Sequence, residues 1–168
     1  VVAWVRDADA DLSDNTSRRV AVLLPGATTP VLPAALPNGI GEISLAVADD
    51  GALLLAFTRA ANNGAVLFSN QRPLWLARGV CGRTSCAWQA KQLFDPLGRA
   101  LYAERPVLTI DEQNRAVITF RGTGFGGSLA PQPLDAPGMA SGFGDLTQVT
   151  AVWPGATVVP DYLTADGA

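Results

Sequence analysis

Four oxygen-bearing side chains near the start of the chain are spaced as a hard cation would need them. Asp7, Asp9, Asp11 and Asn15 form the pattern D-x-D-x-D-x-x-x-N. Carboxylate and amide oxygens at alternate positions of a tight loop suit Ca²⁺, which makes calcium the cofactor to test for. Two neighbours depart from that chemistry. Leu12 stands where such a loop turns on glycine, and Arg18 puts a cation at the twelfth position, where an EF-hand supplies a bidentate glutamate. The competing reading of the same residues is a solvated acidic loop between two strands.

Other reactive types are sparse. The chain has no histidine, which removes the Ser-His-Asp triad, the Cys-His dyad and His-ligated metals. Ser13, Ser17, Ser128 and Ser141 have no base in a recognisable motif, and Asn15-Thr16-Ser17 is a formal N-glycosylation acceptor. Gly122, Gly124 and Gly127 have the spacing of a dinucleotide fingerprint. Pro131, Pro133 and Pro137 forbid the helix that would hold a pyrophosphate. The stretch Gly122–Gly144 reads instead as a long loop at one face, with Phe125, Met139 and Phe143 as its candidate contact residues.

Both cysteines, Cys81 and Cys86, flank Gly82-Arg83-Thr84-Ser85. Two strands joined by such a turn bring these positions opposite each other, within reach of a disulfide. A redox pair would have two intervening residues, and a zinc site would need more ligands. Free thiols in a reducing cell are the alternative. The disulfide reading implies a secreted or cell-surface protein.

The elements that position these residues are read from composition and pattern. The chain has 168 residues, 48% hydrophobic and 16% charged, which describes a globular domain. A net charge of −3 and a single lysine, Lys91, argue against nucleic-acid partners and anionic membranes. No run of 18 apolar residues is present to form a membrane span. The sequence opens on a strand-like Val1–Arg6 without an initiator methionine, as a piece of something longer would. Glycine and proline, 17 and 12 residues, punctuate the chain too often for long helices. Ala87–Leu93 fits two helical turns or an edge strand.

Internal similarity organises the rest. Ser44–Phe57 aligns without gaps to Val107–Phe120, 63 residues later. Each copy reads as a strand, a polar turn (Asp49-Asp50-Gly51, Glu112-Gln113-Asn114) and a strand ending in an aromatic: a β-hairpin. Val2-Ala3-Trp4 matches the second strand of both. Val20–Thr28 resembles Val149–Thr157. The resulting unit has four strands, with a partial copy over 1–40, a second over 41–103 and a third over 104–168 carrying the 122–144 loop. In the middle copy the strands are expected at Ser44–Ala48, Ala52–Arg59, Ala65–Ser69 and within Leu74–Phe94. Trp4, Phe57 and Phe120 are then packing residues between units. Four-stranded units at this period predict an all-β, β-propeller-like array of antiparallel blades, with a β-sandwich as the alternative. About four to eight blades close a propeller, so this chain is expected to be a segment of a larger one or to associate with other chains.

Trp4–Asp11, the cysteine pair followed by Trp88, and the hairpin Pro106–Asp111 with Ala116–Phe120 resemble the strands and loops of exported bacterial β-propeller-repeat proteins. The resemblance implies blades and export and is silent on activity. A non-catalytic extracellular scaffold or binding module, contacting protein or glycan through its loops, is the function expected. Two alternatives differ in kind. A sialidase-like glycoside hydrolase fragment would use residues such as Tyr102, Glu104 and Arg105. Its turn motif would fall on Val47, Asp49, Gly51 and Leu54, which keep the Asp and Gly of that motif and lose its Ser and Trp. A filament or sheath subunit would pair terminal strands between copies.

Overall fold

A computed structural model describes residues 1–7, 17–59, 72–82, 84–94, 100–126, 146–151 and 159–162. Among them are ten strands and no helix: β1 (Val2–Arg6), β2 (Arg19–Leu23), β3 (Ile40–Val47), β4 (Leu53–Arg59), β5 (Leu74–Cys81), β6 (Cys86–Gln92), β7 (Ala100–Ile110), β8 (Ala116–Gly126), β9 (Leu146–Ala151) and β10 (Val159–Tyr162). The protein is all-β. The strands form three antiparallel sheets in chain order: β1-β2, then β3-β4-β5-β6, then β7-β8-β9-β10.

Local chemistry accounts for the hairpins. In β3–β4 the Ala48 N–H donates to Ala52 O (2.9 Å) and the Gly51 N–H to Ala48 O (2.9 Å). In β7–β8 the Asp111 N–H donates to Arg115 O (3.1 Å) and the Asn114 N–H to Asp111 O (2.9 Å). Both are three-residue loops closed by a residue in the left-handed region, Gly51 at φ 79° and Asn114 at φ 59°, as such a loop demands. Asparagine tolerates that region better than other non-glycine residues.

The sheets stack as three layers. In β4 the alternation splits cleanly. Leu53, Leu55 and Phe57 join Val20, Val22, Leu24 and Trp88 in one core, between the first and middle sheets. Leu54 and Ala56 join Leu74, Leu76, Leu108, Ile118 and Phe120 in the other, between the middle and last sheets. A strand covered on both faces reads as a continuous apolar run, and Leu53–Phe57 is one. Each large side chain fully removed from water contributes roughly 1.5–3 kcal/mol, so these two cores hold the stack together. No strand pairing among the described residues closes the stack into a ring or barrel. The sandwich alternative accounts for the facing middle and last sheets but not for the third layer.

Of the two readings of Ala87–Leu93, the edge strand holds, through Gln92. Two placements differ from expectation. The third and fourth strands of the middle sheet are the two arms of the cysteine hairpin, β5 and β6; Ala65–Ser69 lies outside the described residues. Gly122–Gly126 continues β8 instead of opening a loop: Ala103 pairs with Gly122 and Ala100 with Gly126. The long β7 keeps offering a partner there, and glycine removes any side-chain obstacle across the irregularity between Leu101 and Ala103.

The outer edge of β7 is sealed by the middle sheet. The Leu101 N–H donates to Leu93 O (3.1 Å) and the Ala103 N–H to Arg72 O (2.9 Å). The Arg105 N–H donates to Glu42 Oε2 (2.7 Å) and the Leu108 N–H to Ser44 Oγ (2.9 Å). An edge strand with open donors is a template for unwanted pairing, and here backbone and side-chain acceptors occupy them. β3 begins in the same way: the Gly39 and Ile40 N–H groups both donate to Arg18 O, at 2.9 and 3.2 Å.

Candidate functional site

The acidic pattern at the start of the chain is only partly described. Asp7 accepts a hydrogen bond from the Ser17 hydroxyl and lies 3.5 Å from Arg18 Nε. Its carboxylate thus closes the connection between β1 and β2 by engaging a cation of this chain. Asp9, Asp11 and Asn15 lie outside the described residues. Among the described residues no three His, Cys, Asp or Glu side chains come together as a metal site would require.

The residues weighed for glycoside hydrolysis sit along β7. Tyr102 and Glu104 are half-buried, and Arg105 is exposed. Arg105 lies within an irregularity between Glu104 and Val107, with φ 51°. The strain of a non-glycine residue there accompanies the bond from its N–H to Glu42. Arg105 therefore has a joint-making role between sheets. In the turn at Asp49–Gly51, Asp50 bonds the Ala52 N–H (3.0 Å) and pairs with Arg78. The Ala52 N–H, then Arg78, hold its carboxyl below the usual range.

The cysteines form a disulfide, Cys81–Cys86, across directly paired positions of β5 and β6. The Gly82 N–H donates to Ser85 O at 2.8 Å, completing the hairpin. Behind it, the indole of Trp88 lies over Gly79: a Cβ at Gly79 would sit 2.7 Å from Trp88 Cε2. Phe57 and Trp75 stack at 6.1 Å between ring centroids, with the Arg59 guanidinium 5.6 Å from the Trp75 ring. These aromatics brace the middle sheet.

The hairpin also lines an open depression of about 600 Å³. Its other wall is the connection after β2. There Pro25 and Gly26 make a turn in which the Ala27 N–H donates to Leu24 O (3.1 Å) and Gly26 has φ 77°, the geometry that places proline then glycine at the two central positions. Val31 returns to pair with Val22. Leu24, Pro25, Thr28, Thr29 and Val31 face Thr84 of the hairpin across the depression. Among the described residues its lining carries no charged side chain and offers hydroxyl donors and acceptors beside apolar surface. The sequence reading missed these threonines, because only folding brings Thr84 to the Pro25-Gly26 turn; the local signals were that turn and the cysteine spacing.

Of the loop residues proposed as contacts, Phe125 falls in β8, paired with Leu101. Met139 and Phe143 lie outside the described residues. Compared with known protein families, curated proteins and solved structures, the chain matches none of them.

Proposed function

We propose that this chain is a section of an extracellular, propeller-like array of four-stranded sheets, acting as a non-catalytic scaffold that presents its loops to a protein or glycan. The observation that carries the reading is one joint made twice, with its donors 63 residues apart and its acceptors 54. The N–H of Ile40, in the first strand of the middle sheet, donates to Arg18 O, just before β2. The N–H of Ala103, in the first strand of the last sheet, donates to Arg72 O, just before β5. A joint of this kind adds like sheets in a line and fixes their faces, so variation is left to the connections. The disulfide favours an oxidising compartment. The threonine-lined depression between the Pro25–Val31 connection and the Thr84 hairpin is the contact surface on this reading.

Titration of the isotopically labelled chain with neutral oligosaccharides and with extended peptides tests it by NMR. Amide shifts confined to Thr28, Thr29 and Thr84, weakened at least tenfold by Thr28→Val together with Thr84→Val, are expected. Turnover of glycosides by the chain, lost in Tyr102→Phe or Glu104→Gln, would replace the scaffold reading with the hydrolase one.

A further inference from the structure

Two buried donors lie without an acceptor in the layer between the first and middle sheets. Trp88 is 6% exposed, and its indole Nε1–H has no hydrogen-bond partner. The Nε1–H of Trp75, which packs against the same core, has none either. Among the described residues, no side-chain donor buried in the other core is left in this way. An indole N–H taken out of water ordinarily finds a partner, since otherwise it forfeits the bond it made to water in the unfolded chain.

The Trp88 ring is held where it is. It lies on Gly79, its cross-strand partner, so closely that a Cβ there would sit 2.7 Å from Cε2 and 2.8 Å from Cδ2. On that face of the hairpin the neighbouring pairs are the disulfide on one side and Ala77–Ala90 on the other. The side chains that β2 and its connection bring to this core, Val20, Val22 and Leu24, are aliphatic and carry no acceptor. The acceptor therefore comes from outside this core. It is neutral, because an ionised oxygen would be a buried charge with no cation among the core residues. It is small, because the surroundings are closely packed. Leu24 marks the way in, since it belongs to this core and also lines the open depression. Thr84, on the facing wall of that depression, stands four residues before Trp88 in the same hairpin.

We infer that the Trp88 indole N–H binds a neutral hydroxyl oxygen lodged behind the threonine depression and held on its outer side by Thr84. A lodged oxygen needs about two to four polar partners, and Thr84 is the hydroxyl that the hairpin itself brings. Water and a sugar hydroxyl reaching in through the depression offer the same lone pairs. The sugar source rests on the binding role proposed for the depression; the water source does not.

Proton NMR of the intact, isotopically labelled chain decides it. The Trp88 Nε1–H resonance is assigned by its Overhauser contacts to the Gly79 α-protons, so no variant is needed to identify it. In the free chain it is expected downfield, in slow exchange, with a dipolar cross-peak to water. On addition of maltose that cross-peak persists if water is the occupant, and gives way to a further shift if a sugar hydroxyl displaces it. Thr84→Val, at an exposed turn position, is expected to abolish the water cross-peak and leave the β4 amides unmoved. An upfield Trp88 resonance with no cross-peak to water and no response to maltose overturns the inference. A cross-peak indifferent to Thr84→Val overturns the placement behind the depression. Maltose shifts at Thr28 and Thr29, with neither water nor sugar at Trp88, leave the binding role standing without this site; a water cross-peak without those shifts does the reverse.

Discussion

Asn114 holds two turns at once. Its backbone takes the left-handed conformation that closes the β7–β8 loop, and its Oδ1 accepts the N–H of Asp49, 3.0 Å away in the β3–β4 loop. The residue in the same place in the β3–β4 loop, Gly51, has the conformation without the side chain. Asn114→Gly therefore keeps the turn and loses the bond, at an expected cost of about 0.5–1 kcal/mol for an exposed hydrogen bond. Asn114→Ala loses the bond and adds about 1–2 kcal/mol of left-handed strain. Urea unfolding should rank wild type above glycine above alanine; equal midpoints for the two variants would show that the strain is absent.

Acid should weaken the same hairpin ends. Asp111 is half-buried at the start of the β7–β8 loop. Burial pushes its pKa up, but bonds from the Arg115 backbone and guanidinium and from the Gln113 N–H outweigh that and leave it below the ordinary 3.8. Asp50 lies on the same side of 3.8, held by the Ala52 N–H and Arg78. A carboxyl lowered on folding adds stability that is complete above its unfolded value and is lost as pH falls through the folded one. Stability is thus expected to be level above about pH 5 and to fall below pH 4. Asp111→Asn should lower the plateau and flatten the fall; an unchanged slope would remove Asp111 from the account.

How much of this was legible in the sequence depends on the range of the interactions. The hairpins at Ser44–Phe57 and Val107–Phe120 were readable because turn chemistry is local and strand alternation is short-period. The cysteine hairpin was readable as a pair of strands, yet its place as the third and fourth strands of the middle sheet was not. Ala65–Ser69 has as good a strand composition as Leu74–Cys81, so composition does not choose between them. Glu42 and Ser44 are polar residues of β3. Their bonds to Arg105 and Leu108 belong to the meeting of two sheets and leave no mark on either segment alone. The facing of Thr84 and Thr28 is of the same kind.

Thr58 is the fully buried polar residue of β4, and its hydroxyl accepts the Glu42 N–H at 3.0 Å, where β3 is irregular between Ile40 and Ile43. Gly41 is confined by the same hydroxyl, since a Cβ there would lie 2.8 Å from Thr58 Oγ1. Thr58→Val keeps the shape but strands the Glu42 N–H, at about 1–3 kcal/mol. Thr58→Ser keeps the bond and loses a methyl group, at about 1 kcal/mol. A valine variant as stable as wild type in thermal unfolding would show that another acceptor or water takes over.

The disulfide closes a short loop, so its removal should cost modestly. The chain-entropy relation gives about 2 kcal/mol for so few enclosed residues. Cys81→Ser with Cys86→Ser is expected to lower the melting temperature by several degrees, with the same drop on reducing the wild type. Cys81 and Cys86 pack against the core between the first and middle sheets, so a drop far larger than this would mean that the core near Trp88 opens with the bond.

The joint between sheets can be tested at single amides. The Leu108 N–H, on the outer edge of β7, has Ser44 Oγ as its acceptor at 2.9 Å, and the Arg105 N–H has Glu42 Oε2 at 2.7 Å. Removing one such acceptor costs about 1 kcal/mol, which is about fivefold in the rate of exchange by local opening. Ser44→Ala should therefore speed hydrogen exchange at Leu108 about fivefold and leave Arg105 unchanged, and Glu42→Ala should do the reverse. Glu42→Gln retains an amide oxygen and should fall between. If either alanine variant instead speeds exchange evenly through β7 and β8, the two side chains hold the last sheet as a unit, and the effect belongs to docking and not to the single bond. Unchanged exchange at Leu108 in Ser44→Ala would mean that the edge of β7 is sealed without the hydroxyl.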